Sequence, residues 1–205
     1  MQRLELSTQA DGVLESAAKA LLAGGVAIFP TDTVYGIGAL PQYSAALERI
    51  YKLKDRPLGM PLPLLISDIA QIRTISSFES ENLHLLAKAF WPGPLTLVLP
   101  DASKPSNSFV AQDGTIAVRS PDHAFIQSLC KLVGPIAATS ANLHGEPTPL
   151  QISGMPKAFE AVDLMIDGGE CSYGAASTIL DLSKERIEVL REGPISNDTI
   201  LSALK

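Results

Sequence analysis

Residues 26–38 read VAIFPTDTVYGIG, and this stretch decides the fold class. Val26 to Phe29 form a short continuous apolar run that Pro30 ends, which is typical of a strand buried on both faces by helices. The segment from Pro30 to Gly38 then combines three hydroxyl side chains with two glycines. We interpret it as a binding loop, because α/β proteins place ligands at strand ends. The alternative is an ordinary turn whose Asp and Thr side chains satisfy backbone groups.

Helices and strands alternate along the rest of the chain without a repeat. Apolar residues at helical spacing predict helices over residues 11–23, 46–53, 83–90, 122–133 and 196–204. Short apolar runs predict strands over 62–66, 95–99, 115–119, 136–138 and 164–166, and a terminal hairpin over 178–182 and 187–191. The interleaving predicts one α/β domain over residues 1–205, with a twisted mixed sheet and helices packed around it.

Composition and charge exclude several classes of protein. The 205 residues are 46% apolar, which is ample for a packed core. Sixteen Lys and Arg against twenty-two Asp and Glu give a net charge of −6, so the protein as a whole lacks the positive charge that binding a polyanion requires. A basic pocket within an otherwise acidic protein remains an alternative. No apolar stretch reaches the length of a bilayer span, and residues 1–10 are too polar for a signal peptide, so we expect a cytoplasmic protein that makes no use of a membrane.

Cysteine and histidine usage predicts no metal held by the protein and no disulfide framework. Cys130 and Cys171 lie far apart, and His84, His123 and His144 show no zinc-ligand spacing. Cys130 falls on a helical apolar stripe, so we interpret it as a small buried hydrophobe without chemistry.

Three clusters of polar residues could nevertheless bind an anion. Residues 52–57, KLKDRP, place three cations at the end of the second predicted helix, where they either bind a ligand or complement the helix dipole as exposed charges that contribute little to stability. Residues 138–149, ATSANLHGEPTP, offer hydroxyls, an amide and backbone N–H groups, or form a capped turn. Arg119 and Arg191 end apolar strands and could clamp a carboxylate or phosphate, or form surface ion pairs.

The common phosphate-binding signatures are missing. No P-loop pattern occurs, and Gly36-x-Gly38 lacks the third glycine of a dinucleotide loop. Eight other short motifs occur instead, in the order PTDTVYGIG, KDRP, WPGPLT, TIAVR, SAN, PTP, ASTILD and LREG. In this combination the chain resembles the YrdC-like threonylcarbamoyl-AMP synthases, from about the first helix to Gly193.

The resemblance implies a fold with a concave ligand-binding face and a specific reaction. Members of the family make threonylcarbamoyl-adenylate and pyrophosphate from L-threonine, bicarbonate and ATP, with Mg²⁺ bound to the ATP. The product serves threonylcarbamoyladenosine modification of tRNA, so tRNA and a downstream threonylcarbamoyl-transferase complex are expected partners. The carbamate oxygen of the substrate attacks the α-phosphate, which explains why no protein nucleophile is evident.

The resemblance also implies roles for particular residues. The K-x-R and S-x-N motifs place catalytic roles on Lys54, Arg56, Ser140 and Asn142. The residues implied for threonine are Thr31, Thr33, Tyr35, Pro61 (through its backbone), Arg119, Thr139 and Ser177. Those implied for ATP are Lys52, Lys54, Arg56, Thr115, Ser140 and Arg191.

Two departures from the family pattern and two rival functions accompany this interpretation. His144 stands where many relatives have Ser, and the C-terminal extension of the longer members is missing, so the single-domain form is the better match. One rival is a catalytically altered paralogue that binds nucleotide or double-stranded RNA, and the other is a carbamoyl-transfer module of a larger maturation enzyme. The intact K-x-R and S-x-N motifs argue against the first, and the absence of extra domains for carbamoyl phosphate and zinc argues against the second.

Overall fold

A mixed β-sheet runs through the computed structural model, which describes residues 1–6, 10–100, 109, 111–112 and 114–205. Its described strands are β1 (Gln2–Glu5), β2 (Ala27–Phe29), β3 (Gly36–Ala39), β4 (Leu64–Leu65), β5 (Leu95–Pro100), β6 (Ala111–Gln112), β7 (Thr115–Arg119), β8 (Ile136–Ser140), β9 (Leu164–Asp167), β10 (Thr178–Asp181) and β11 (Glu188–Arg191). The described helices are α1 (Ala10–Leu22), α2 (Ser44–Lys54), α3 (Glu81–Phe90), α4 (Ala124–Val133) and α5 (Asn197–Ala203). Short 3₁₀ segments lie at Ile69–Thr74, Ile152–Gly154 and Lys157–Ala161.

The strands lie in the order β1-β9-β2-β3-β8-β4-β7-β5-β10-β11, with β6 beside β7. The pairs β1–β9, β9–β2, β4–β7 and β5–β10 are parallel, and the other neighbours are antiparallel. The predicted α/β class with a mixed sheet is therefore confirmed, and so is the terminal hairpin formed by β10 and β11. The strand predicted over 62–66 is shorter, because Pro63 has no N–H to donate to the ladder.

Packing on the two faces of the sheet follows the strand period of two. Ile28 contributes to a core cluster with Leu47 and Ile50 of α2, whereas its neighbours Ala27 and Phe29 belong to a second cluster that includes residues of α1 and α4. This arrangement confirms that β2 is buried on both faces.

Cys130 belongs to the second cluster and is fully buried. Burial raises the pKa of its thiol to about 12, and the sulfur donates to the Leu65 carbonyl. The prediction that Cys130 is a small buried hydrophobe is therefore confirmed.

Part of the segment from Pro30 to Gly38, which we interpret from the sequence as a binding loop, is a strand. Residues 36–39 form β3, paired with β2 on one side and β8 on the other. A Cβ on Gly36 would lie 2.9 Å from the Phe29 ring, and one on Gly38 would lie 2.8 Å from the Ala137 carbonyl oxygen. The two glycines therefore permit close packing within the sheet rather than the approach of a ligand.

No helix among the described residues is long and apolar enough to cross a membrane.

Replacing Gly38 with Ala is expected to destabilise the fold by about 1–3 kcal/mol, because the added methyl group would overlap the β8 backbone. The matched control is Gly59→Ala, where an added Cβ meets nothing within 4 Å. Urea denaturation measures both free energies of unfolding. Equal values for the two variants would show that β3 has room for a side chain.

Candidate active site

Arg119, at the end of β7, bonds to three other residues in the interior of the site. It is only 6% exposed, and it donates from Nε to the Gly93 carbonyl at 3.0 Å, from Nη1 to Thr33 Oγ1 at 2.7 Å and from Nη2 to Asp32 Oδ1 at 2.5 Å. Burial lowers the pKa of the guanidinium, and the Asp32 carboxylate opposes that shift. Arg119 is thus a buried ion-pair partner, and the alternative of a surface ion pair is wrong.

Gly93 comes from the WPGPLT motif, and its own N–H donates to the Ser120 carbonyl. A Cβ on Gly93 would lie 2.5 Å from the Phe90 carbonyl oxygen, so only glycine fits the turn that presents this acceptor. The motif thereby holds one end of the Arg119 side chain.

The turn after β2 supplies the carboxylate. The Thr31 hydroxyl donates to the Val34 carbonyl at 2.6 Å and accepts from the backbone N–H groups of Thr33 and Val34. Thr31 therefore shapes the turn, as the ordinary-turn alternative predicts. Asp32, which is 5% exposed, uses Oδ1 for Arg119, and its buried Oδ2 has no hydrogen-bond partner among the described residues.

Lys54 ends α2 inside the protein. Its side chain is 1% exposed, and Nζ donates to the carbonyls of Ser140 and Asn142, each at 2.5 Å, and to Asn142 Oδ1 at 3.2 Å. Burial, together with the smaller effect of the nearby Arg56 charge, lowers the pKa of this ammonium to about 8. The expectation that Lys54 is an exposed charge at a helix end is therefore wrong.

Ser140 and Asn142 form a closed arrangement around this ammonium. The Ser140 hydroxyl donates to Asn142 Oδ1 at 2.5 Å, and Asn142 Nδ2 donates to the carbonyls of Leu143 and Glu146. In return, the His144 backbone N–H donates to the Lys54 carbonyl at 2.8 Å. The K-x-R and S-x-N motifs thus meet in space.

Arg56 follows the left-handed Asp55 that terminates α2. Its guanidinium donates from Nε to the Met60 carbonyl and from Nη2 to the Pro61 carbonyl, each at 3.2 Å, and it lies over the Tyr51 ring. The Pro61 carbonyl therefore lies beside Arg56, and its predicted contact with threonine stays a prediction. Arg56 is half-buried and holds the 56–61 loop around itself.

Ser177 and Arg191 connect the hairpin to the site. Arg191 donates from Nε and Nη2 to the Ser177 carbonyl at 3.1 and 2.8 Å, and the buried Ser177 hydroxyl bonds to that of Thr96 at 2.7 Å. A Cβ on Gly193 would lie 2.5 Å from Thr178 N, so the LREG glycine permits this close approach.

The four cations influence one another. Beyond burial, the Arg56 charge lowers the pKa of both Lys54 and Arg191, and the Arg191 charge lowers that of Arg119. Among the described residues, Lys54, Arg56 and Arg191 form no ion pair with a carboxylate, whereas Arg119 has Asp32. The site therefore carries positive charge in excess.

Four predicted residues lie apart from this cluster. Lys52 is exposed and lies two residues from Lys54, so the two face opposite sides of α2, and its contact with ATP stays a prediction. Thr115 begins the strand that Arg119 ends, about 13 Å away. Thr139 is half-buried in β8. The Tyr35 hydroxyl donates to the Gly169 carbonyl and accepts from Gly168 N–H, so it anchors that turn. Ligand contacts of Thr115, Thr139 and Tyr35 stay predictions.

The structure adds three participants that the sequence analysis did not assign, namely Asp32, Gly93 and Thr96. A signal for the burial of Lys54 was nonetheless present. Leu47, Ile50 and Lys54 continue one helical stripe at spacings of three and four, whereas Lys52 lies off it.

The sequence matches the family model described as telomere recombination, which covers the Sua5, YciO and YrdC proteins, over residues 19–193. Threonylcarbamoyl-AMP synthase of Bacillus subtilis is 38% identical over 201 residues, or 96% of this chain and 57% of that protein. The chain thus spans little more than half the length of this relative. The crystal structure of Pyrococcus abyssi Sua5 complexed with L-threonine superposes with a TM-score of 0.89 at 34% identity, covering 99% of this chain and 60% of that one. Escherichia coli YciO superposes with a TM-score of 0.85 at 25% identity, covering 97% of this chain and 98% of that one.

The loops of this α/β sheet gather four cations, an arrangement suited to binding an anion. The family match makes this specific: the chain belongs to the Sua5/YciO/YrdC family.

Replacing Asp32 with Asn is expected to reduce the free energy of unfolding by about 3 kcal/mol, because Arg119 would then be buried without a compensating charge. The matched control is Glu79→Gln, which removes an exposed carboxylate that pairs with Arg73 and is expected to change stability by less than about 1 kcal/mol. Both are measured by urea denaturation. A loss at Asp32 no larger than that at Glu79 would contradict the structural importance of the buried pair.

Proposed function

We propose that the chain is an L-threonylcarbamoyladenylate synthase, which forms threonylcarbamoyl-AMP and pyrophosphate from L-threonine, bicarbonate and ATP. The observation that carries the proposal is the meeting of Lys54, Arg56 and Arg191, none of them paired with a carboxylate among the described residues. The names of the relatives support it, as does the threonine bound to the P. abyssi protein.

Excess positive charge of this kind favours a polyphosphate. Moving a cation out of water costs several kcal/mol unless an opposite charge accompanies it, so a site of mutually repelling cations is stabilised when an anion enters. The triphosphate of ATP brings negative charge in the required amount. Arginine also offers two parallel N–H groups to phosphate oxygens, which fits Arg56 and Arg191 for this role.

Arg119 suits the carboxylate of an amino acid. Three of its five N–H groups bond to Gly93, Thr33 and Asp32, and the other two have no acceptor among the described residues. Two N–H groups of one guanidinium can receive a carboxylate. The Ser177 hydroxyl, held by Thr96 and connected through its backbone to Arg191, offers a polar contact for the hydroxyl of threonine.

The chemistry then requires positioning and charge rather than a protein nucleophile. The threonine amine forms a C–N bond with bicarbonate and water leaves, which produces the carbamate. A carbamate oxygen next forms a bond to the α-phosphorus of ATP while the bond to the β-phosphate oxygen breaks, releasing pyrophosphate. The cations around Arg56 stabilise negative charge on the phosphoryl oxygens and on the leaving group.

The donors near the site bear on the Mg²⁺ that is predicted to accompany ATP. The described residues contain no group of three or more His, Cys, Asp or Glu side chains placed to hold a metal ion, and Asp32 is committed to Arg119. We therefore assign no residue to hold Mg²⁺, which would be carried by phosphate oxygens and water.

The product is a mixed anhydride of a carbamate and a phosphate, so its consumer is a transferase, and delivery to tRNA remains part of the proposal.

Pyrophosphate release from ATP is expected only when L-threonine and bicarbonate are both present with Mg²⁺. A coupled phosphate assay measures this release, and mass spectrometry detects the adenylate. Equal release with either co-substrate omitted would indicate a nucleotidase and overturn the proposal. ATP binding without any turnover would favour the nucleotide-binding paralogue.

Replacing Arg56 with Met is expected to weaken ATP binding at least about tenfold, because the triphosphate loses a charged and hydrogen-bonding partner. Lys88→Met removes an exposed cation of the last turn of α3 and serves as the matched control. Isothermal titration calorimetry gives both dissociation constants. Similar weakening in the two variants would mean that only the overall charge of the protein matters.

A further inference from the structure

The bonds of the Lys54 ammonium exhaust its donors. An ammonium has three N–H groups, and the structure provides three acceptors for them: two carbonyl oxygens and the Asn142 side chain. The nitrogen lies in the interior, with the side chain only 1% exposed. No N–H remains for a phosphate or a carboxylate.

All three acceptors belong to one short segment, residues 140–142. That segment is further fixed by the Ala141 N–H, which donates to the Tyr35 carbonyl at 2.7 Å. The Lys54 backbone carbonyl receives the His144 N–H, so the end of α2 also holds the chain just beyond the segment. Removing the ammonium would take one donor from each acceptor, and the Asn142 carbonyl would keep no partner among the described residues, whereas Asn142 Oδ1 keeps the Ser140 hydroxyl and the Ser140 carbonyl keeps the Asn142 N–H.

We infer that Lys54 is a positioning residue that acts on the ligand through the segment 140–142 and makes no contact with ATP. This inference rests on the proposed function only for the identity of the ligand. The segment turns its Ser140 hydroxyl and Asn142 amide toward each other, and the ammonium beneath them keeps both carbonyls pointed inward. Its positive charge reaches the bound anion across the segment rather than by a direct bond.

The positioning requires the charged form of Lys54. A neutral amine has two N–H groups and turns a lone pair toward a carbonyl oxygen, so one acceptor is lost on deprotonation. The pKa of about 8 places that change within the range of ordinary assays. The charged or titratable groups around it are Arg56 on its own segment and the exposed side chains of His144 and Glu146 on the facing loop.

A rise in pH has opposite effects on the stability of the whole fold and on the order of the segment 140–142. Because the pKa of Lys54 is lower in the folded than in the unfolded protein, its contribution to the free energy of unfolding increases as the pH rises from about 8 to 10.5. The segment loses a donor over the same interval. Loosening of residues 140–146 above pH 8 is therefore expected without global destabilisation from Lys54.

A double-mutant cycle on ATP affinity tests the inference. Lys54→Met and Asn142→Ala are each expected to weaken ATP binding about tenfold or more, and the double variant is expected to bind no more weakly than either single variant, because both remove the same unit. Lys54→Arg keeps the charge and is expected to recover part of the affinity. Additive losses in the cycle would mean that Lys54 contacts ATP independently and would overturn the inference.

Hydrogen exchange without any ligand provides the second measurement, and it separates positioning from direct binding. The amides of Ala141 and His144 are expected to lose protection in ATP-free Lys54→Met, and in the wild-type protein between pH 7 and 9.5 after correction for intrinsic exchange, while core amides of β5 stay protected. Unchanged protection would overturn the inference. If the wild-type protein failed to bind ATP, the proposed function would be wrong, and this exchange measurement would still decide the role of Lys54.

Discussion

The ion pair between Arg119 and Asp32 is the interaction on which the geometry of the site depends, because it joins the end of β7 to the turn after β2 in the interior. Gly93 and Thr33 also accept from the guanidinium, so three separate parts of the chain meet at one side chain. The remaining cations gather where the part of the chain that the structure describes provides no second carboxylate for them. An anion bound there would balance their charge.

The helices and strands could be predicted where the spacing of apolar residues alone distinguishes one from the other. Helices α1 to α5 and the strands β2, β5, β7 and β9 all follow an apolar pattern that has one physical interpretation. β3 could not be predicted in this way, because a glycine in a sequence is equally consistent with a turn, a ligand contact and close packing. The choice among them requires the distance from a Cβ on Gly36 to the Phe29 ring, which a sequence does not contain.

The chemistry of the site was harder to predict than its residues. The motifs brought Lys54, Arg56, Ser140 and Asn142 to attention, and they do meet, yet burial of Lys54 depends on which face of α2 the sheet covers. Nothing in the sequence around Asp32 shows whether its carboxylate forms an ion pair or caps a turn. Thr96 looks like any strand threonine until the neighbouring strand brings Ser177 beside it.

The excess of cations within a body of net charge −6 also determines the distance at which the protein attracts its ligands. At physiological ionic strength, electrostatic fields decay over a length of about 8 Å, so a molecule close to the site responds to the local cations more than to the net charge of the protein. A small anion can be balanced by these cations alone. A long polyanion would extend beyond them, and its further phosphates would face a protein surface that is acidic on average. Local positive charge within an acidic protein therefore favours a small anion over a long one.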